Sequence, residues 1–410
     1  MKNINFKKML LMVLKLSALG VLIGALGGLI GGCFSHLLAL VTNMRQGASW
    51  LILLLPLGGI ATASLYHVFR MGSYGGTNEI IHRLEDQGPI RIITAPLIFI
   101  STLLTHLFGG SAGREGAAIQ LGGATASVVS DVLRLKETER TVFLMSGMGA
   151  VFAGVFGTPL TAAVFVLEFS LAPKIILSAI LPCFISGITA QKVSSLMGVA
   201  PEEIPLSSTP AFTYGTIAKI IVLSIALSLL GKVMCICFHG AERWAKRLLP
   251  NSLLRSVIGA AVIIALTIMV GDMRYSGSGM DMALGAVKGN AHWFDFILKL
   301  TFTAITLSAG FKGGEIVPTF CIGATFGCIL GSVLGLDVGL AAALGLIGLF
   351  CCAANSPIAA VFLGIELFGF KALPYFLLVC LILWPLSVKK GLFDNRFFKP
   401  ISFRKRKRNF

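Results

Sequence analysis

Charge is scarce in this chain. Only 13% of its 410 residues are Asp, Glu, Lys or Arg, against 56% hydrophobic, and the mean hydropathy is +0.88. A soluble globular domain cannot carry that balance, so the composition places the chain in lipid. Metal-ligand patterns are also missing. The nine cysteines make no zinc spacing, since Cys235 and Cys237 are one residue apart, Cys351 and Cys352 are adjacent, and the rest sit singly in apolar runs. Buried, reduced thiols are the expectation there. His36, His67, His82, His106, His239 and His292 are scattered, so no metal or cofactor is expected. Nor does any glycine loop end in the Gly-Lys-Ser/Thr of a nucleotide-binding P-loop.

What the chain does have is a succession of apolar runs. They extend from Met9 to Ile30, Leu51 to Val68, Ile92 to Phe108, Ile175 to Ile188, Ile217 to Cys237 and Val257 to Val270, then Phe296 to Leu307, Phe320 to Leu334, Leu340 to Leu363 and Leu373 to Val388. Several are too short, or too broken by Gly and Pro, to cross roughly 30 Å of hydrocarbon as straight helices. Broken spans are tolerated where they surround a buried polar site, as in transporters. Much of the formal charge of +16 is concentrated at the ends, in Lys2, Lys7, Lys8 and Lys15 and in a tail with Arg404, Lys405, Arg406, Lys407 and Arg408. Beside ten apolar runs these basic ends read as the positive-inside rule and not as a nucleic-acid surface, which places both termini in the cytoplasm. The first run is long and lacks a small-residue cleavage site, so it reads as a retained helix.

The chain nearly repeats itself. Gly123-Ala124-Thr125 returns 200 residues later as Gly323-Ala324-Thr325, and Gly147, Phe152, Pro159 and Glu168 return at an offset of 198 as Gly345, Phe350, Pro357 and Glu366. Repeats of this kind relate two halves whose interface holds the substrate near mid-membrane. The expected divisions are a first helix within 1–44, a first repeat over 49–200, a second over 213–390 and a basic tail over 391–410.

Each half has a glycine loop that opens a helix. In the first, Gly109-Gly110-Ser111-Ala112-Gly113-Arg114-Glu115-Gly116 runs into Ala117-Ala118-Ile119. In the second, Gly310-Phe311-Lys312-Gly313-Gly314-Glu315-Ile316-Val317-Pro318 stands at the equivalent place. Free N–H groups and the positive end of the helix dipole make such a start a natural seat for an anion. Glu115 and Glu315 occupy equivalent positions, and a carboxylate inside a membrane marks a functional site unless a partner explains it. Arg114 and Lys312 are placed to neutralise or brace these carboxylates. A third loop, Gly75-Gly76-Thr77-Asn78, opens a helix at Glu79; its rough partner is Tyr275-Ser276-Gly277-Ser278-Gly279-Met280. No nucleophile or His-Glu cluster accompanies the glutamates, which leaves an enzyme without support.

In this order the segments resemble the CLC family of anion channels and anion/proton antiporters. Gly113-Arg114-Glu115-Gly116 is similar to the family's Gly-Lys/Arg-Glu-Gly motif, Gly313-Gly314 to Pro318 to its Gly-Gly-x-x-x-Pro motif, and Gly75 to Asn78 falls where the family has Gly-Ser-Gly-Ile-Pro. The resemblance implies an all-α polytopic fold of two interlocked, inverted repeats with broken and tilted helices. It also implies a homodimer in a bacterial inner membrane, with each subunit enclosing its own path for a halide and for protons, and no nucleic acid or cofactor. Carried onto matching positions, Glu115 is the gating glutamate, which yields the outer anion site when protonated.

Three departures point to the bacterial fluoride/proton antiporter branch: Glu315 where chloride members carry an apolar residue, Gly75 in place of the motif serine, and Phe169 where many chloride/proton exchangers have an inner proton glutamate. The expected function is therefore fluoride export coupled to proton import. Two others point away. Val317 stands where that branch has a threonine, and Phe393 where the family has an inner tyrosine. They keep a chloride channel or chloride/proton exchanger as the alternative, and a sensor or scaffold that has lost transport as a lesser one. The expected anion contacts are Gly75, Gly76, Thr77, Asn78, Gly113, Arg114, Gly116, Ala117, Gly314, Ile316, Val317 and Phe393.

Overall fold

The structure is a computed structural model that describes residues 6–72, 74–86, 88–169, 173–388 and 390–393. Residues 394–410 of the basic tail therefore lie outside the described residues, as do Lys2 and the side chains of Lys7 and Lys8. Among the described residues there are sixteen α-helices and no extended strand. The first eight are α1 (Phe6–Gly47), α2 (Leu55–Val68), α3 (Thr77–Asp86), α4 (Thr94–Leu107), α5 (Glu115–Val132), α6 (Glu137–Phe156), α7 (Pro159–Leu167) and α8 (Pro173–Leu196). The second eight are α9 (Tyr214–Leu248), α10 (Ser252–Val270), α11 (Met280–Val287), α12 (Asp295–Ser308), α13 (Ile316–Leu334), α14 (Val338–Ala354), α15 (Pro357–Phe368) and α16 (Leu373–Leu386). Among the described residues six stretches are helical, long and apolar enough to cross a bilayer, Val13–Gly47, Tyr214–Leu248 and Ile316–Leu334 among them.

The two sets correspond helix for helix. In each, the helix that starts at a glycine loop packs on its successor, α5 on α6 and α13 on α14. The packing is close because glycines meet: a Cβ on Gly122 has no room against Gly147, nor one on Gly323 against Gly345. Small residues at crossings are how helices gain contact in lipid, where no hydrophobic force drives them together. The halves interlock through α2 against α10 and α7 against α15.

The apolar run Leu340 to Leu363 is not one helix, as its length invites. It breaks between α14 and α15, where Asn355 adopts a left-handed φ of 54° before Ser356 and Pro357. Proline has no N–H to continue a helix, so the chain restarts there with Pro357 in the first turn. Gly157, with φ of 74° ahead of Thr158 and Pro159, makes the same break in the first half.

These restarts leave helix N–H groups unsatisfied deep in the protein, and the halves supply one another. Glu366 Oε1 accepts from the Leu160 N–H at 2.8 Å, while its Oε2 accepts from the Thr161 N–H at 2.8 Å and the Thr161 hydroxyl at 2.6 Å. Reciprocally, the Glu168 carboxylate accepts from the N–H groups of Ile358 at 3.0 Å and Ala359 at 3.3 Å. Each repeat-equivalent glutamate thus caps the other half's short helix, where the dipole also favours negative charge.

Candidate functional site

The two glycine loops meet at the centre of the molecule. Gly113 and Gly314 form an isolated antiparallel bridge, each N–H donating to the other's carbonyl at 2.7 Å. Only glycines fit this approach. A Cβ on Gly116 would stand 3.1 Å from the Gly314 Cα and 3.2 Å from the Thr77 Oγ1. The bridge sets the N-terminal turns of α5 and α13 against each other, and α3 joins them. The Thr77 hydroxyl donates to the Gly116 carbonyl at 3.3 Å and accepts from the Gln120 amide at 3.2 Å.

Glu115 lies in the first turn of α5 and is fully buried. Its Oε2 accepts the Val317 N–H, from the first turn of α13, at 3.2 Å. Its Oε1 has no hydrogen-bond partner; the nearest cation is the Arg114 Nε at 4.0 Å. A helix start that donates to a carboxylate offers the same donor to any small anion that replaces it.

Two cavities approach this carboxylate from opposite sides. One, of about 300 Å³, is lined by Gly75, Gly76, Thr77, Asn78, Gly116, Gln120, Lys312, Gly313, Gly314, Glu315 and Phe393, among others. The other, of about 510 Å³, reaches Arg114, Val317, His106, Glu202 and Asp281. Residues 114 and 116 therefore face different cavities, and Glu115 lines neither.

The expected site residues converge, with some roles changed. Gly113, Gly116, Ala117, Gly314, Ile316 and Val317 form the two helix starts, all of them buried or nearly so. Arg114 stands beside Glu115 but sends its Nη2 to Glu202, and its guanidinium carbon lies 5.1 Å above the Phe156 ring. Glu202 sits in the loop between α8 and α9, where burial raises its carboxyl above the ordinary range against the opposing pull of Arg114. Lys312 does not brace Glu315: its ammonium lies 4.4 Å over the Tyr66 ring. Glu315 lines the smaller cavity, as does the Glu242–Lys246 pair of α9, joined at 2.5 Å. Phe393 packs edge-on against Phe165 at 5.9 Å and Phe169 at 6.0 Å, its chain held by the Leu392 N–H on the Ala353 carbonyl at 2.8 Å.

Sequence reasoning passed over Gln120 and Glu202. Gln120 is a polar residue in an apolar helix, and that was its signal. Glu202 lies in a loop 88 residues from the arginine it pairs with, and nothing local marks it.

A polytopic helical membrane protein of two repeats, whose helix starts enclose a buried carboxylate between opposed cavities, is built to pass a small anion. The chain belongs to the voltage gated chloride channel family, whose model matches residues 58–383. It is 33% identical over 390 residues to a chloride/fluoride channel protein of Pseudomonas syringae pv. tomato, covering 93% of this chain and 86% of that one. It is 27% identical over 382 residues to the H(+)/Cl(-) exchange transporter ClcA of Salmonella arizonae, covering 85% and 80%. Its fold matches the crystal structure of a CLC-type fluoride/proton antiporter with a TM-score of 0.87 at 33% identity, covering 94% of this chain and 98% of that one. A slow cyanobacterial Cl-/H+ antiporter shares the fold at a TM-score of 0.77 and 19% identity, covering 91% and 94%.

Proposed function

We propose that this protein exports fluoride across a bacterial inner membrane in exchange for protons. The observation that carries the reading is the Glu115 carboxylate, fully buried, hydrogen-bonded to the Val317 N–H and set between two cavities. Ionised, it fills the seat of the anion. Protonated, it loses the charge that held it there, and a halide takes the donors. One side chain so handles both ions in turn. The N–H groups of Glu115, Gly116 and Ala117, with those of Ile316 and Val317, are the proposed anion donors, and Glu315 is a second carboxylate on the route to the smaller cavity. The Thr77 hydroxyl is engaged with the Gly116 carbonyl, so at Thr77 and Asn78 the backbone N–H groups are the proposed donors. The 33% identity to relatives whose names include fluoride supports the choice of ion.

A chloride channel or chloride/proton exchanger is the second reading. Val317 and Phe393 favour it, because neither offers the hydroxyl that a small, tightly hydrated fluoride ion needs on dehydration. The same two residues support a lesser reading, a sensor or scaffold without transport. The proposed assembly is a homodimer with both termini in the cytoplasm, and the proposed divisions are 1–44, 49–200, 213–390 and 391–410. Proteoliposome flux measured for fluoride and chloride with pH recorded tests all three. Fluoride moving faster than chloride with opposed protons is the expected result. Faster chloride selects the second reading, and no flux of either ion selects the third.

A further inference from the structure

The first glycine loop is clamped from behind by one face of α12. Lys299, Thr303 and Thr306 lie at successive positions on that face, and all three bind Ser111, four residues before Glu115. The Ser111 N–H donates to the Thr306 Oγ1 at 3.0 Å, its hydroxyl lies 2.9 Å from the Thr303 Oγ1, and it accepts from the Lys299 ammonium at 2.9 Å. Every polar side-chain and N–H group of Ser111 is thereby committed to one helix of the other half.

Lys299 is the unusual member. It is fully buried, and its remaining protons go to the carbonyls of Gly277 at 2.7 Å and Tyr275 at 3.1 Å. Three donors meet three acceptors, the arrangement that suits an ammonium and not a neutral amine. Among the described residues no carboxylate pairs with it. The 275–277 segment is itself tied to the first loop, since the Gly277 N–H donates to the Gly110 carbonyl at 3.0 Å. The acid nearest the clamp, the buried Asp295 one turn earlier on α12, accepts the Tyr275 hydroxyl at 2.6 Å and is paired with Arg274 at 3.0 Å, not with Lys299. The other charged or titratable groups near the clamp are Arg45 of α1, which donates to the His106 carbonyl at 3.1 Å, His106 of α4, Arg114 at the start of α5 and Cys321 of α13.

A buried cation without a counter-ion costs stability, and the repeat tells whether the fold requires it. It does not. At the structurally equivalent places, 201 residues apart, Lys312 stands for Ser111 in the second loop, while Ile98, Thr102 and Thr105 of α4 stand for Lys299, Thr303 and Thr306. The second loop is held without a buried lysine on the helix behind it: Ile98 takes that place, Phe311 packs into the core and Lys312 turns to the Tyr66 ring.

We propose that Lys299 is a positioning residue for the anion site. It holds the Gly109–Gly113 loop through Ser111, turns the carbonyl oxygens of Tyr275 and Gly277 toward itself and so away from a passing anion, and leaves an uncancelled positive charge behind the Glu115 seat. The proposal rests on the reading of that seat as the place where a halide competes with the Glu115 carboxylate. A charge that acts on the seat through protein of low effective dielectric constant needs to contribute only about 1.4 kcal/mol to change an anion's affinity about tenfold.

The test compares Lys299→Met, Lys299→Arg and Ser111→Ala with the unaltered protein, measuring the concentration dependence of fluoride flux in proteoliposomes and fluoride binding by calorimetry. Lys299→Met is expected to raise the halide KM and Kd about tenfold while maximal turnover changes less than about threefold. Lys299→Arg restores both constants, and Ser111→Ala, which keeps the charge but loosens the loop, raises KM to an intermediate value. A Met variant that is monodisperse and keeps the original KM and Kd overturns the role of Lys299 alone. If the Met variant does not fold, the other two decide: KM and Kd unchanged in Ser111→Ala overturn the role, as does an Arg variant as weak in binding as loss of the charge predicts. Absence of both flux and halide binding in the unaltered protein overturns the site reading, and the proposal with it.

Discussion

Adding one methyl group to Gly314 tests the anion seat at its narrowest point. A Cβ there would stand 2.6 Å from the Gly116 nitrogen and 3.2 Å from both the Glu115 nitrogen and its Oε2. The nearest of these atoms is backbone in the first turn of α5, held by the paired bonds of Gly113 and Gly314, so it cannot swing aside as a side chain would. Gly314 is not among the glycines with positive φ, so alanine meets no conformational penalty of its own. The methyl therefore covers the Gly116 N–H and displaces the carboxylate that marks the anion's place. Loss of one hydrogen bond to a charged group costs about 1.5–3 kcal/mol, or roughly 10- to 150-fold in affinity. Gly314→Ala should raise the halide KM within that range, with calorimetric Kd following it. Gly240→Ala, on α9 with nothing within 4 Å of the added atom, is the control and should leave both constants unchanged. A monodisperse Gly314→Ala protein with an unaltered KM and Kd would refute the seat.

Glu115→Gln should leave halide flux measurable while proton movement no longer follows it; protons still tied to halide in that variant would mean another group carries them. Glu315→Gln should lower fluoride turnover, as read by fluoride-electrode efflux, and an unchanged rate would remove Glu315 from the route. Phe393→Tyr adds a hydroxyl at the wall of the smaller cavity and should lower the halide KM by about fivefold, the worth of one ordinary hydrogen bond of ~1 kcal/mol. Glu366→Ala and Glu168→Ala should each destabilise the protein by ~3 kcal/mol, because each carboxylate satisfies three donors, two backbone N–H groups and one hydroxyl, of Thr161 and Ser356 respectively. Thermal unfolding in detergent checks both losses.

Much of the site was legible in the residues because its parts are local. A glycine loop followed by an acid and an apolar run states a helix start and its charge within eight positions, as at Gly109 to Gly116, and the repeat then locates the second copy at Gly310 to Pro318. The Gly113–Gly314 bridge corrects the register by one: the loops match at an offset of 201, so Glu115 is equivalent to Ile316 and Glu315 to the helix-capping Arg114, and the two glutamates do not occupy equivalent places as the sequence repeat suggests. Other features were hidden for a physical reason: their partners lie far along the chain. Arg114 and Lys312 are bases of the two glycine loops, yet one turns to Glu202 and the other to an aromatic face, a choice made by loops and helices remote in sequence. Lys299 sits inside the apolar run Phe296 to Leu307, where hydropathy alone treats it as a minor interruption. The break after α14 was readable in Asn355-Ser356-Pro357, but the uniformly apolar flanks obscured it.

The exchanged caps of Glu168 and Glu366 bear on how such a chain can arise. Synthesised alone, either half would carry into the bilayer a short helix with bare amides at its head and an acid with nothing to receive, both expensive in hydrocarbon. Two copies of one half would cure the defect in each other, since the acid and the bare helix belong to equivalent places in both. Covalent fusion of the halves then makes that mutual repair obligatory and leaves each copy free to diverge elsewhere, as it has where a buried lysine stands in one and an isoleucine in the other.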